Sequence, residues 1–260
     1  MKTVLLIVVG IYALICVIVF FTQEYFLFQR SKLPQDYAYE ISEEFEEVWL
    51  GPNQEHHAVH IKVADSKGII VYFHGNRDSL RRWIRLSKGL LRYDYDLLLV
   101  EYPEYGKSKA QISQDSFEEL ALLSYDYALR NYNSDEVVIF GRSMGTGLAS
   151  FLGSQKAAKA VILETPYYSL DDLLSRYLFL IPRRWLIHYS FPSYQWLKEA
   201  KTEIRILHGT NDQIIPIGMA DKLHQSLEGK AQMTTIEGGR HHDLSDYQQY
   251  WDSLNAIFLN

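Results

Sequence analysis

The chain has 260 residues, 47% of them hydrophobic and 22% charged, with a formal net charge of −6 and a single cysteine. That balance excludes a disordered polymer and a disulfide-built scaffold, leaves room for one sizeable domain, and argues against nucleic acid as a partner. No internal repeat or low-complexity linker interrupts it.

Val4 to Phe21 is an apolar run without charge, broken only by Gly10, Tyr12 and Cys16. As a helix rising about 1.5 Å per residue it matches the bilayer's hydrocarbon core of about 30 Å. A removed signal peptide is the rival reading, but its apolar region is usually shorter and a small-x-small cleavage site should follow. Phe20 to Tyr25 offers none, and the bulky Ile15 before Cys16 does not suit a lipoprotein signal. The expected organisation is a single-pass membrane anchor over 1–22, a juxtamembrane tether over 23–44 with Tyr25, Phe26 and Phe28 at the interface, and one folded domain over 45–260. Lys2 on one side and Arg30 and Lys32 on the other set the orientation poorly. Short N-terminal tails favour a catalytic domain outside the cytosol, a general tendency and not a property of this charge pattern. A chain starting near Lys32 is expected to be soluble and to keep its chemistry.

Strands are expected near 45–50 and 58–63, with His56, His57 and His60 solvated on the second. Then come strand 69–73, a helix over about 80–92, strand 97–102, and a helix from Asp115 or Ser116 to about 131. Strand 137–140, a helix after Gly145 and strand 160–164 follow. After a long interval come a strand at 204–207, a helix over 217–227, strand 233–236 and a last helix to Phe258. This alternation reads as an α/β fold, a mostly parallel sheet with helices on both faces and its ligand site at the carboxyl ends of the strands. The interval at about 165–201 is the expected short helical cap. Its large apolar residues, Phe179 and Trp185 among them, either pack on the body or line an acyl-chain pocket.

The chemistry gathers at those strand ends. Gly141-Arg142-Ser143-Met144-Gly145 lies between an apolar strand and a small-residue helix, the setting of a nucleophile elbow that lifts a serine hydroxyl off the sheet. A bland strand-to-helix turn with a capping serine is the alternative. Such a serine needs a base, an acid that orients the base, and N–H donors for the oxyanion. His208-Gly209-Thr210-Asn211-Asp212 follows the strand at 204–207 and offers Asp212. Glu164, at the end of another strand, is the second candidate acid. Glu237-Gly238-Gly239-Arg240-His241-His242-Asp243 offers a histidine on a flexible approach. His74-Gly75-Asn76 after strand 69–73 would bring the Asn76 N–H beside Ser143, forming an oxyanion hole with the N–H of Met144. His74 and His208 suit structural bonds to loop backbone. Asp243 suits a cap of the last helix. No HExxH or Cys/His cluster suggests zinc, and no metal or diffusible cofactor is implied.

These motifs, with Tyr102-Pro103-Glu104-Tyr105-Gly106-Lys107-Ser108 and Glu164-Thr165-Pro166, resemble those of α/β-hydrolase-fold serine hydrolases from about Phe45 to the end of the chain. The chain is similar in particular to a membrane-anchored group named after a fungal bud-emergence protein, and to the depalmitoylating ABHD enzymes. That group usually reads Y-R-G-Y-G-x-S where Pro103 and Glu104 stand here, and G-x-G-H-N-D where Arg240 and His242 depart. The alignment puts the base at His241 and His242 in the usual Asn position.

The resemblance implies a triad of Ser143, Asp212 and His241, with Asn76 and Met144 as the oxyanion hole. The expected reaction is cleavage of carboxylic esters or thioesters through an acyl-enzyme, on a small or lipid-like acyl substrate met at the membrane. An aminopeptidase-like amide hydrolase is the nearest alternative, and an inactive membrane-anchored scaffold the alternative from another class. The sequence sets neither the acyl chain nor the oligomeric state.

Overall fold

A computed structural model of the chain describes residues 1–259. Eight strands form one sheet in the order β1-β2-β4-β3-β5-β6-β7-β8. They are β1 (Phe45–Leu50), β2 (His56–Ile61), β3 (Ile69–Phe73), β4 (Asp96–Val100), β5 (Val137–Arg142), β6 (Ala160–Glu164), β7 (Glu203–Gly209) and β8 (Ala231–Ile236). Only the β1–β2 and β2–β4 pairings are antiparallel; every later pairing is parallel. β3 to β6 are buried along their whole length, because helices cover both faces and no side of the pleat meets water. Two apolar clusters follow, one on each face. Phe73, Phe117, Ile139, Leu148 and Leu163 belong to the first, and Tyr72, Trp83, Phe140, Ile162 and Leu254 to the second.

The body helices are α2 (Leu80–Ser87), α3 (Gln114–Ala128), α4 (Gly145–Gln155), α8 (Ile217–Ser226) and α9 (Gln248–Phe258). α2 is shorter than its pattern suggests and passes into a 3₁₀ turn over Lys88–Tyr93. Ser113 caps α3 by accepting from the Ser116 N–H at 3.0 Å, which sets its start at Gln114, just ahead of the expected Asp115 or Ser116. Between β6 and β7 lie three short helices, α5 (Leu170–Ser175), α6 (Arg183–Leu186) and α7 (Ser193–Glu199).

Two features depart from the sequence reading. First, His56, His57 and His60 are buried rather than solvated. β2 is an inner strand between β1 and β4, and every one of its residues is buried. Two of the imidazoles find partners inside: His60 bonds Asp96 at 2.9 Å and Tyr127 at 3.0 Å, and His57 bonds Glu47 at 2.8 Å, which also pairs with Lys107; His56 has only the Glu119 carboxylate at 3.8 Å. Second, the N-terminal helix α1 runs from Lys2 to Leu27, past the anchor boundary expected at 22. The following stretch, expected as a tether, is packed onto the body. Phe28 is buried against Phe117 and Tyr189, with ring centroids 5.1 and 4.7 Å away. Tyr39 is buried as well, and short bridges join Arg30 to Asp78 and Lys32 to Gly106. α1 itself is long and apolar enough to cross a membrane, with a mean hydropathy of 3.3 and none of its most apolar stretch buried in the body.

Candidate active site

Ser143 stands at the carboxyl end of β5, in the middle of the sheet. Its φ is +53°, a left-handed conformation that costs a side-chain residue of order 1–2 kcal/mol, and it persists because its surroundings fix it. The Ser143 N–H donates to the Glu164 carbonyl at 2.8 Å. The two flanking glycines are required by close approach. A Cβ on Gly145 would sit 2.1 Å from the Phe73 carbonyl oxygen, and one on Gly141 would sit 2.5 Å from the Gly145 carbonyl oxygen. The sharp turn thus needs glycine on both sides of the serine, and α4 begins immediately after it with its N-terminus at the site.

His241 lies on the loop after β8, and its ring bridges two partners. Nδ1–H donates to Asp212 Oδ2 at 2.7 Å, which leaves Nε2 to accept from the Ser143 hydroxyl at 2.9 Å. Asp212 follows β7 and is buried. Burial pushes its carboxyl up, but bonds from His208 and His241 and the Ile215 N–H outweigh that and hold it well below the usual carboxylate range. The Ile214 and Ile215 N–H groups each reach its Oδ1 at 2.9 Å. The other histidines take structural positions: His74 Nδ1 bonds the Gly75 carbonyl at 2.7 Å and His208 Nε2 the Ile215 carbonyl at 2.8 Å. His242 is exposed and touches His241 edge-on, with ring centroids 4.9 Å apart.

Glu164, the other candidate acid, has a different partner. It is buried beside Arg142, with Nε to Oε1 at 3.2 Å, and accepts from the Tyr250 hydroxyl at 3.2 Å. It serves the elbow from below and makes no bond to His241. Asp243 does not cap α9. Its carboxylate accepts from the Arg240 N–H at 2.6 Å and closes the loop that carries His241.

Asn76 and Met144 border the same cavity as Ser143. Neither backbone N–H is bonded to a protein acceptor among the described residues. The Asn76 loop is braced from three sides: the Tyr102 hydroxyl donates to the His74 carbonyl, the Tyr105 hydroxyl donates to the Asn76 carbonyl at 2.9 Å, and the Gln29 N–H donates to the Asn76 side chain at 3.1 Å. Asp78 N–H also reaches the Gln29 carbonyl at 3.0 Å. Where the similar group has Arg-Gly, Pro103-Glu104 keep the turn. Glu104 takes φ +61° and pairs with Arg30 at 3.0 Å. The expectation that a chain starting near Lys32 loses nothing therefore overlooks Gln29 and Arg30.

The cavity at Ser143 has a volume of about 630 Å³ and walls that are mostly apolar. The cap supplies Leu170, Leu174, Leu178 and Phe191 to it. Phe179 and Trp185, the cap residues singled out in the sequence, do not line it; both are exposed. The opposite wall is α1, through Ile15, Ile18, Val19, Phe26 and Leu27. Sequence reasoning missed that wall, since nothing in a uniformly apolar run marks which face meets the body. The one signal was Gln23 at its end, a buried amide that donates to the Leu186 carbonyl at 3.0 Å and accepts from the His188 N–H at 2.8 Å.

A model described as alpha/beta hydrolase fold matches residues 68–187. The structure of the esterase Pf2001 from Pyrococcus furiosus superposes with a TM-score of 0.68 at 17% identity, covering 89% of this chain and 97% of that one. The chain has the α/β-hydrolase fold. Among curated proteins, the uncharacterized protein R595 of Acanthamoeba polyphaga mimivirus is 26% identical over 187 residues, covering 64% of this chain and 63% of that one. Alpha/beta hydrolase domain-containing protein 17C of Xenopus tropicalis is 25% identical over 196 residues, covering 74% of this chain and 62% of that one. The chain thus spans under two thirds of the length of these relatives.

Proposed function

We propose that the protein is a serine hydrolase that cleaves carboxylic esters or thioesters by two-step acyl transfer. The observation that carries this reading is the unbroken chain Ser143 hydroxyl, His241 imidazole, Asp212 carboxylate, at 2.9 and 2.7 Å. Ser143 attacks the acyl carbonyl while His241 Nε2 takes its proton, and Asp212 holds the ring in the tautomer that can accept it. The Asn76 and Met144 N–H groups stabilise the tetrahedral oxyanion, a contribution of about 3 kcal/mol for each such donor. His241 returns the proton to the leaving group, and water releases the acyl chain by the same steps in reverse roles. The apolar cavity beside Ser143 favours an acyl group over a charged or peptidic one. The esterase named among the similar structures agrees with that preference.

In the same reading α1 is a retained single-pass anchor, the substrate is an acyl compound met at the membrane, and no metal or nucleic acid takes part. The domain is taken to face the extracytoplasmic side, the commoner arrangement for a catalytic domain behind a single N-terminal anchor; protease protection in sealed vesicles tests that reading. The test of the chemistry is labelling by a fluorophosphonate, which reacts only with an activated serine. Wild type is labelled and hydrolyses short esters, and Ser143→Ala does neither while keeping the wild-type unfolding transition. Wild-type turnover in that variant would refute the nucleophile. Efficient cleavage of aminoacyl amides with little cleavage of esters would replace the esterase reading with a peptidase-like one.

A further inference from the structure

The cap does not only cover the strand ends; it also climbs α1. From the foot of the helix upward, the Tyr189 hydroxyl donates to Glu24 at 2.9 Å, Gln23 clasps Leu186 and His188, and the Phe20 ring lies 4.7 Å from the His188 ring. Higher still, the Tyr12 hydroxyl donates to the Leu180 carbonyl at 2.9 Å. Tyr12 and Gln23 are about three turns apart, or about 16 Å along the axis, roughly half the thickness of a bilayer's hydrocarbon core. If Val4 to Phe21 occupies that core, the 177–187 segment of the cap lies beside it at the same depth. Its surface fits that place. Tyr177, Phe179, Leu180 and Trp185 are 63%, 74%, 69% and 85% exposed, four large apolar side chains in one segment that water disfavours and lipid does not. Its neighbours Arg176 and Arg184 are exposed too, with stems long enough to carry their charges toward headgroups.

The cavity at Ser143 lies in the joint between these two elements, walled by Ile18 and Val19 of α1 on one side and Leu174 and Leu178 of the cap on the other. We propose that α1 and the cap form a lateral portal set in one leaflet, through which a long acyl chain in ester or thioester linkage passes from the bilayer to Ser143 without crossing water. Ile18 and Val19 set how much of that chain fits. The anchor is then part of the substrate site and not only a tether. This rests on the reading of Ser143 as an acyl-transfer nucleophile.

The test uses the full chain in phosphatidylcholine vesicles and compares labelling rates by a hexadecyl and an ethyl fluorophosphonate. Wild type prefers the long probe by at least about tenfold, since each buried methylene contributes a few-fold. Val19→Trp, which fills the portal from the α1 side, lowers that ratio at least about tenfold, whereas Leu14→Trp, away from the cavity wall, leaves it unchanged. Equal ratios in the three proteins, with labelling intact, would overturn the portal and leave the serine hydrolase standing. No labelling of wild type by either probe would remove both. An acylglycerol and an S-acylated peptide, each carrying the same chain in the vesicles, separate the two sources of such a group. Cleavage of either supports the portal, and cleavage of neither beside brisk short-ester turnover overturns it. Depth is read independently from Trp185. Lipids brominated at mid-chain quench tryptophan emission in wild type, and Trp185→Phe removes most of that quenching. Equal quenching in both proteins would set the cap outside the membrane and overturn the proposal.

Discussion

Adjacent residues at the site have unequal parts. His241 is held between Ser143 and Asp212, while His242 is exposed and touches only the edge of the His241 ring. His241→Ala is expected to lose several orders of magnitude in kcat, as loss of a triad base generally does, and His242→Ala far less; ester kinetics on the two variants check the ranking. The two acids separate in a similar way. Asp212→Asn should cost about 10⁴ in kcat through the wrong imidazole tautomer. Glu164→Gln should instead cost about 3–5 kcal/mol of stability, because it leaves the buried Arg142 guanidinium uncompensated. Denaturant titration beside kinetics distinguishes the two outcomes. A histidine away from the site gives a pH dependence. Burial lowers the His57 pKa to about 4, against which the Glu47 carboxylate pulls upward. The unfolded chain takes up that proton near pH 6.5 and the folded one only near 4, so stability is full above about 6.5 and falls as pH drops toward 4. The loss attributable to His57 is at most about 3 kcal/mol, and His57→Gln should flatten the curve in that window.

At the scale of elements, the sheet's parallel half was readable because buried strands of Val, Ile and Leu alternate with helical spacing. The residues that meet at the candidate site were readable because glycine spacing marks the elbow and polar motifs sit at strand ends. What failed were judgements that depend on neighbours. The polar look of His56-His57-Ala58-Val59-His60 hid an inner strand, since the partners of His57 and His60 come from other segments: Glu47, Asp96, Tyr127. The stretch around Phe28 looked like an interfacial tether because the residues that bury it, Phe117 and Tyr189, are far along the chain. That error has a measurable consequence. A chain starting at Lys32 lacks Phe28, whose loss from a core typically costs about 3–5 kcal/mol, and lacks the Gln29 bond to Asn76. Compared with a chain starting at Gln23, it should unfold at markedly lower denaturant and hydrolyse even a two-carbon ester more slowly. Equal stability and turnover would show that the segment is a tether after all.

For the whole molecule, the question is whether α1 holds the protein in a membrane or is removed from it. Its length and mean hydropathy of 3.3 satisfy the requirement for a spanning helix, and a signal sequence passes the same test. The body favours retention. Cleavage after Phe21 would take Ile15, Ile18 and Val19 from the cavity wall and expose the apolar lining that remains. A signal peptide has no reason to be complementary to the mature domain over several turns, whereas Tyr12, Phe20 and Gln23 each meet the cap. The full chain is therefore expected to stay with membranes through high salt and alkaline washing, because a spanning helix is not held by screened charges. Terminal sequencing of the membrane-bound protein should find α1 still attached. A soluble mature protein beginning after Phe21 would reverse this, and with it the view that one helix serves both as anchor and as part of the substrate cavity.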